Sequence, residues 1–212
     1  VGIYQYCGFG PDKTTIGDTL ICAESTGPNT IPFAAPKITI TGGYRNGYGI
    51  CVNRDYTSGA TGTAPYFSVS RGVISLTTSG KQFGEISGIS VKNHNPNSGK
   101  ANIKIDSCDI TVSTAKGAVA TDSPCGLLNA INIHDLDLKG LFDPIGLSVL
   151  QSKLVVTDTQ NTNVKAVGIN AERLAGDGIT EKIQDNTITV KGSKSAKAPY
   201  HVGYGVYLDN IE

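Results

Sequence analysis

Methionine and tryptophan are missing from the sequence, charge is scarce, and no apolar run is long. Each lack excludes something. Charged residues make up 17% of the chain, below the quarter usual for a soluble domain. Lys and Arg number 18 and Asp and Glu number 18, so no basic excess is present to meet a phosphate backbone. Nucleic acid is therefore not an expected partner. No stretch approaches the roughly 20 apolar residues of a membrane-crossing helix, so membrane insertion of this segment is not expected. No charged start followed by an apolar core opens the chain, so a signal peptide is not expected either. The chain begins with Val1 in mid-pattern, which reads as a piece processed or excised from something longer.

The five cysteines are Cys7, Cys22, Cys51, Cys108 and Cys125, and none stands in the paired C-x-x-C spacing of a zinc site. Cys7 with Cys22 and Cys108 with Cys125 are close in sequence. Short-range pairs suit loop-closing disulfides, which leaves Cys51 over. The alternative is five buried thiols, since cysteine outside disulfides is among the most buried residues.

What is abundant points to strands and turns. Glycine numbers 26, and Thr, Ser and Asn are plentiful. Two kinds of short run recur. Gly-led runs are GIYQY at 2, GICVN at 49, GISVK at 88, GLSVL at 146, GINAE at 168 and GVYLD at 205. Between them lie ITITGG at 38, ISLTTSG at 74, ITVST at 110, LDLKG at 136, LVVTD at 154 and ITVKG at 188. The spacing is irregular, as in a solenoid whose loops vary while its rung stays constant.

The phase of the apolar residues slips inside several segments. In NIKIDSCDITV, Ile103 and Ile105 share one face, and after Asp106 and Ser107 the face is carried by Ile110 and Val112. In INIHDLDLKG, Ile131 and Ile133 are followed by Leu136 and Leu138, with His134 and Asp135 at the slip. A straight strand alternates strictly, so the slip marks a short corner between strands that share one interior. The expected fold is all-β, a right-handed parallel β-helix (β-solenoid) forming one domain over 1–212, a fragment of a longer rod. Its expected interior also holds Val149, Leu154, Val156, Ile188 and Val190. A β-sandwich or barrel is the competing arrangement, but it does not need the repeated slip. Residues 10–36 read as a loop excursion, and 56–70 and 192–203 as shorter insertions.

NTITVKG followed by VGYGVYLDNIE, KLVVTD followed by AVGINAE, and ITITGG followed by GYGICV resemble the repeats of parallel β-helix passenger domains. These belong to bacterial autotransporters and related large surface adhesins. The resemblance covers most of residues 38–212. It implies a surface-exposed or secreted bacterial segment. Its implied partners are a host-cell protein or glycan, or neighbouring bacterial cells. Five cysteines depart from the usual passenger pattern.

Parallel β-helices also house polysaccharide lyases, which need carboxylates for Ca²⁺ and a base. Asp106, Asp109, Asp135 and Asp137 form the best acidic group, and a rung-to-rung stack would bring Asp106 near Asp135. These two are weak candidates for a metal. The competing role for both is capping backbone N–H groups at corners. His94, His134 and His201 are scattered, and no nucleophile motif accompanies them. No catalytic residue and no cofactor is expected. Tyr44, Tyr48, Tyr56, Tyr66, Tyr200, Tyr204 and Tyr207 cluster at expected loops and edges. Exposed tyrosine beside Asn and Gly suits sugar or protein contacts, while tyrosines that merely cover the solenoid are the alternative. Three functions follow: a non-catalytic adhesion or host-interaction module, a carbohydrate-active enzyme, and a structural spacer.

Overall fold

The structure is a computed structural model that describes residues 4–5, 19–25, 31–54, 66–93, 102–120, 126–135, 146–159, 164–172, 182–192 and 202–209. The described residues are all strand and connection, with no helix among them. The strands are β1 (Tyr4–Gln5), β2 (Thr19–Ser25), β3 (Ile31–Ala34), β4 (Lys37–Gly42), β5 (Asn46–Arg54), β6 (Tyr66–Ser70) and β7 (Val73–Thr78). They continue with β8 (Lys81–Phe83), β9 (Glu85–Asn93), β10 (Asn102–Asp106), β11 (Asp109–Thr114), β12 (Val119–Ala120) and β13 (Gly126–Asp135). The last are β14 (Gly146–Leu150), β15 (Lys153–Thr157), β16 (Val164–Glu172), β17 (Lys182–Gln184), β18 (Thr187–Lys191) and β19 (Val202–Asp209).

Three large sheets hold nearly all of them. Sheet 1 has the order β17-β14-β10-β6-β3, sheet 2 the order β18-β15-β11-β7-β4, and sheet 3 the order β1-β2-β5-β9-β13-β16-β19. Five successive passes of the chain visit sheets 1, 2 and 3 in that sequence. Within the three sheets every pairing is parallel except that of β1 with β2.

The corner between sheets 1 and 2 shows why the phase slips. Each corner has two residues, and the first takes a left-handed φ: Ala35 (50°), Arg71 (54°), Ser107 (55°), Gln151 (48°) and Asp185 (56°). None is glycine, so each corner carries strain of about 1–2 kcal/mol. Hydrogen bonding between passes offsets it. The N–H of Arg71 donates to Asp106 O (2.9 Å) and that of Ser107 to Leu150 O (3.0 Å). In the opposite direction, the N–H of Asp109 donates to Gly72 O (2.8 Å) and that of Lys153 to Cys108 O (2.7 Å).

At Cys108, Ser152 and Asn186 the side chain of the second corner residue serves the preceding pass. The Ser152 N–H donates to Asn186 Oδ1 (2.8 Å), the Cys108 N–H to Ser152 Oγ (3.0 Å), and the Cys108 thiol lies 3.7 Å from Val69 O. The Cys108 thiol donates in turn to Asp106 O (3.4 Å). It is buried and belongs to no disulfide, so the expected Cys108–Cys125 bridge is corrected. The thiol is committed to the corner's main chain instead, and burial raises its pKa. Cys51 is also a buried thiol outside any disulfide. Cys7 and Cys125 lie outside the described residues, as does the side chain of Cys22.

The interior is one apolar cluster. Ile103, Ile105, Ile110, Val112, Ile131, Ile133, Val149, Leu154 and Val156 are all buried in it, as expected, and Ile188 and Val190 pack against it. Leu136 and Leu138 lie outside the described residues. The outward positions of sheet 2 are mostly Thr and Ser, such as Thr39, Ser75 and Thr111, which stack in register and suit a solvated pleated face.

Several sequence assignments change. The excursion at 10–36 contains β2 and β3, and the insertions at 56–70 and 192–203 contain β6 and the start of β19. Pro32 hid β3, yet β3 is the edge of sheet 1, where a missing N–H is tolerated. GLSVL at 146 is β14 of sheet 1, not a partner of the other Gly-led runs. Its expected place in sheet 3 is taken by β13, which runs straight through His134 and Asp135 where a corner was expected.

Candidate functional site

The Gly-led runs place a polar strip on the outer face of sheet 3. Each long strand of this sheet carries a four-residue frame: Tyr48-Gly49-Ile50-Cys51, Ser87-Gly88-Ile89-Ser90, Asn129-Ala130-Ile131-Asn132, Val167-Gly168-Ile169-Asn170 and Tyr204-Gly205-Val206-Tyr207. The two middle residues both turn inward. A Cβ on Gly88 would sit 2.3 Å from Ile110 Cγ2, and a Cβ on Gly168 would sit 2.4 Å from Ile188 Cγ2, while Ile89 and Ile169 are wholly buried in the core. Two inward residues in succession force the first and fourth outward. Register then stacks Tyr48 on Ser87, Ser87 on Asn129, Ser90 on Asn132 and Asn132 on Asn170.

Glu85 anchors the strip. Its Oε1 accepts from Ser87 Oγ (2.9 Å), Asn132 Nδ2 (2.8 Å) and Ser90 Oγ (3.4 Å), and its Oε2 accepts from the Tyr48 hydroxyl (3.0 Å). Its own N–H donates to Asn46 Oδ1 (3.0 Å). Asn129 Nδ2 donates to Ser87 Oγ (3.3 Å), and Asn170 Nδ2 donates to Asn132 Oδ1 (2.7 Å). Asn129, Asn132, Asn170, Ser87 and Ser90 are all buried. Two amide oxygens, Asn129 Oδ1 and Asn170 Oδ1, are buried with no hydrogen-bond partner. Burial, then the neighbouring Glu85 carboxylate, pushes the Tyr48 hydroxyl well above the ordinary tyrosine pKa. The arrangement is rich in acceptors and fixed by the sheet, so it can hold a ligand that brings donors.

At the end of the strip the frame becomes aromatic. The Tyr204 and Tyr207 rings lie 5.1 Å apart at 52°, and Lys165 Nζ sits 3.7 Å from the Tyr207 centroid and 5.6 Å from that of Tyr204.

The expected site residues divide. Tyr204 is exposed on β19, the edge strand of sheet 3 among the described residues, where Val206 and Leu208 are exposed to the same degree. Tyr44 and Tyr48 are buried and do not form such a surface. Tyr44 turns into the core, where its ring packs over Gly47, and burial raises its pKa. Tyr48 spends its hydroxyl on Glu85. Tyr56 and Tyr200 lie outside the described residues, as does the side chain of Tyr66. Asp106 and Asp135 are not brought together. Asp106 ends β10 in sheet 1 beside Ser70 and Leu150, whereas Asp135 ends β13 in sheet 3 beside Asn93. The Asp106 carboxylate accepts from Ser107 Oγ (3.0 Å) and lies 3.6 Å from Lys104 Nζ. Asp109 pairs with Lys153 at 3.7 Å. Among the described residues no group of three or more His, Cys, Asp or Glu could hold a metal ion.

Reading the sequence missed Glu85, Ser87, Ser90, Asn129, Asn132 and Asn170. The signal was present in the polar residues flanking each inward pair, but only knowledge that both middle residues face inward makes it legible. Comparison of the chain with protein-family models, curated proteins and solved structures finds no match.

Proposed function

We propose that this chain is a segment of right-handed parallel β-helix that acts as a non-catalytic adhesion or host-interaction module on a bacterial surface, in the manner of an autotransporter passenger. The repeated order of the three sheets, held in constant register from pass to pass, supports the solenoid. The observation that carries the binding role is the strip on sheet 3, where polar side chains are held around Glu85 and two amide oxygens, of Asn129 and Asn170, keep no partner. Such a strip offers fixed hydrogen-bonding groups without moving any strand. Glu85 is engaged by four neighbouring donors, so its role is to hold the strip rather than to shuttle a proton.

The test is direct. The purified chain is applied to host cells and to a glycan array, and the same preparation is assayed for lyase and hydrolase activity on pectic and other acidic glycans, with and without Ca²⁺. Saturable binding without turnover is expected. Unsaturated or hydrolysed product that is lost in Glu85→Gln would replace this reading with an enzymatic one. Absence of binding to cells and glycans alike would leave a structural spacer.

A further inference from the structure

Two columns of side chains run across the outer face of sheet 2. One holds Thr39, Ser75, Thr111 and Val155, and each is in register with the next. The other holds Thr41, Thr77, Ser113 and Thr157 in the same way. Seven of the eight carry a hydroxyl, none carries a charge, and none is buried. β7, β11 and β15 each have a strand on both sides, so this exposure does not depend on a sheet edge. Strand propensity favours threonine on a solvated face but does not by itself explain the choice. The outward positions of sheet 1 obey the same propensity and hold Ser68, Lys104, Asp106, Leu150 and Lys182. On sheet 2 the charges stand to one side, at Lys37, Asp109 and Lys153, and return at Lys191 on β18.

The groups on this face are held stiffly. Ile74, Leu76, Ile110, Val112, Leu154 and Val156 alternate with them along the strands and are sealed in the core. The branched Cβ of threonine restricts its χ1. Thr77 Oγ1 and Ser113 Oγ lie 3.0 Å apart and share a hydrogen bond. The outcome is a two-dimensional lattice of hydroxyl and methyl groups, with repeats of about 4.8 Å across the strands and about 6.6 Å along them. We propose that this face binds ice. Oxygen rows on the prism face of hexagonal ice repeat at nearly these two lengths, and that surface, like the two columns, is uncharged. Hydroxyls at fixed intervals take the places of lattice waters, and the methyls between them fill the troughs. Because folding has already ordered these side chains, contact with a solid costs little further entropy. An ionic partner would find no counter-charge in either column, and a single sugar or peptide would not use an interval repeated in two directions.

The test grows ice slowly from a dilute solution of the 212-residue chain and measures the protein taken into the ice against an unrelated soluble protein. The gap between melting and freezing points is read on single crystals of the same samples. Uptake above the control and a measurable gap are expected. Thr111→Lys sets a hydrated charge in the middle of the contact and is expected to lower uptake about tenfold. Thr111→Val keeps the shape of the side chain and should keep most of the uptake. Ser68→Lys places the same charge on the outer face of sheet 1 and should change nothing. Matching thermal midpoints establish that each variant is folded. Uptake no greater than that of the control protein overturns ice binding. Undiminished uptake by Thr111→Lys, or an equal loss in Ser68→Lys, overturns its assignment to sheet 2. The face shares no residue with the strip of sheet 3, so ice uptake and the binding of cells or glycans can each fail without the other.

Discussion

Gly88→Ala is the sharpest probe of the interior. Gly88 is the inward residue of its frame, and a methyl added there would lie 2.3 Å from Ile110 Cγ2 and 2.7 Å from the Ala130 carbonyl oxygen. Neither neighbour can retreat. Ile110 is fully buried in β11, which is paired on both sides, and the carbonyl belongs to the adjoining strand. Overpacking of this kind costs about 1–3 kcal/mol, and the lower entropy of the unfolded alanine chain returns only about 0.4–1 kcal/mol. A net loss of about 1–2 kcal/mol lowers the thermal midpoint by roughly 2–8 °C in a chain of this size. Gly192→Ala is the control, because a methyl there meets nothing within 4 Å. Thermal and urea unfolding followed by circular dichroism reads both variants. Ile110→Leu removes the Cγ2 methyl but not the carbonyl contact, so the double variant should regain part of the loss through a measurable coupling energy. Equal midpoints for Gly88→Ala and Gly192→Ala would refute the reasoning and, with it, the inward placement of both middle residues of the frame.

Four further outcomes are expected. Tyr44→Phe removes a buried hydroxyl with no partner and should leave stability unchanged or raise it by about 1 kcal/mol, read as a urea midpoint. Burial raises both Tyr44 and Tyr48 above the ordinary value of 10.0, so the unfolded chain ionises first. The stability due to the neutral phenols is full below pH 10 and lost as pH climbs beyond it, and a Tyr44→Phe Tyr48→Phe protein should show a flatter alkaline limb in thermal midpoint against pH. Ser152→Ala strips the buried Cys108 N–H of its acceptor and should cost about 1–3 kcal/mol, while Ser152→Cys, which copies the residue one pass earlier, should cost less. Alkylation of the native chain should leave Cys51 and Cys108 unmodified until denaturant is added, and native labelling of Cys108, read by peptide mass, would contradict its place in the corner.

Local chemistry determined much of this protein. Alternating β-branched residues with frequent glycine specify strands, and the slip from Ile103 and Ile105 to Ile110 and Val112 announced a corner with one interior, because only a break in period 2 lets both pairs face the same way. Five of the six second runs were strands or strand starts of a recurring kind, all now in sheet 2, except LDLKG, which lies outside the described residues. What the sequence could not determine was which strand lies beside which. Sheet 1 was hidden because β3 contains Pro32, and β14 begins with a glycine that resembles those of sheet 3. Hydrogen bonds between passes join residues more than 30 positions apart, such as Cys108 and Ser152, and no local pattern encodes such a pairing. The same holds for the site. Glu85 is an ordinary surface carboxylate in the sequence until register brings Tyr48 and Asn132 to it from the strands on either side. Tyr44 and Tyr204 each stand near Gly in the sequence. Tyr44 is sealed in the core, whereas Tyr204 has no further described strand beside it, because burial depends on what stacks above a residue and not on its neighbours in the chain.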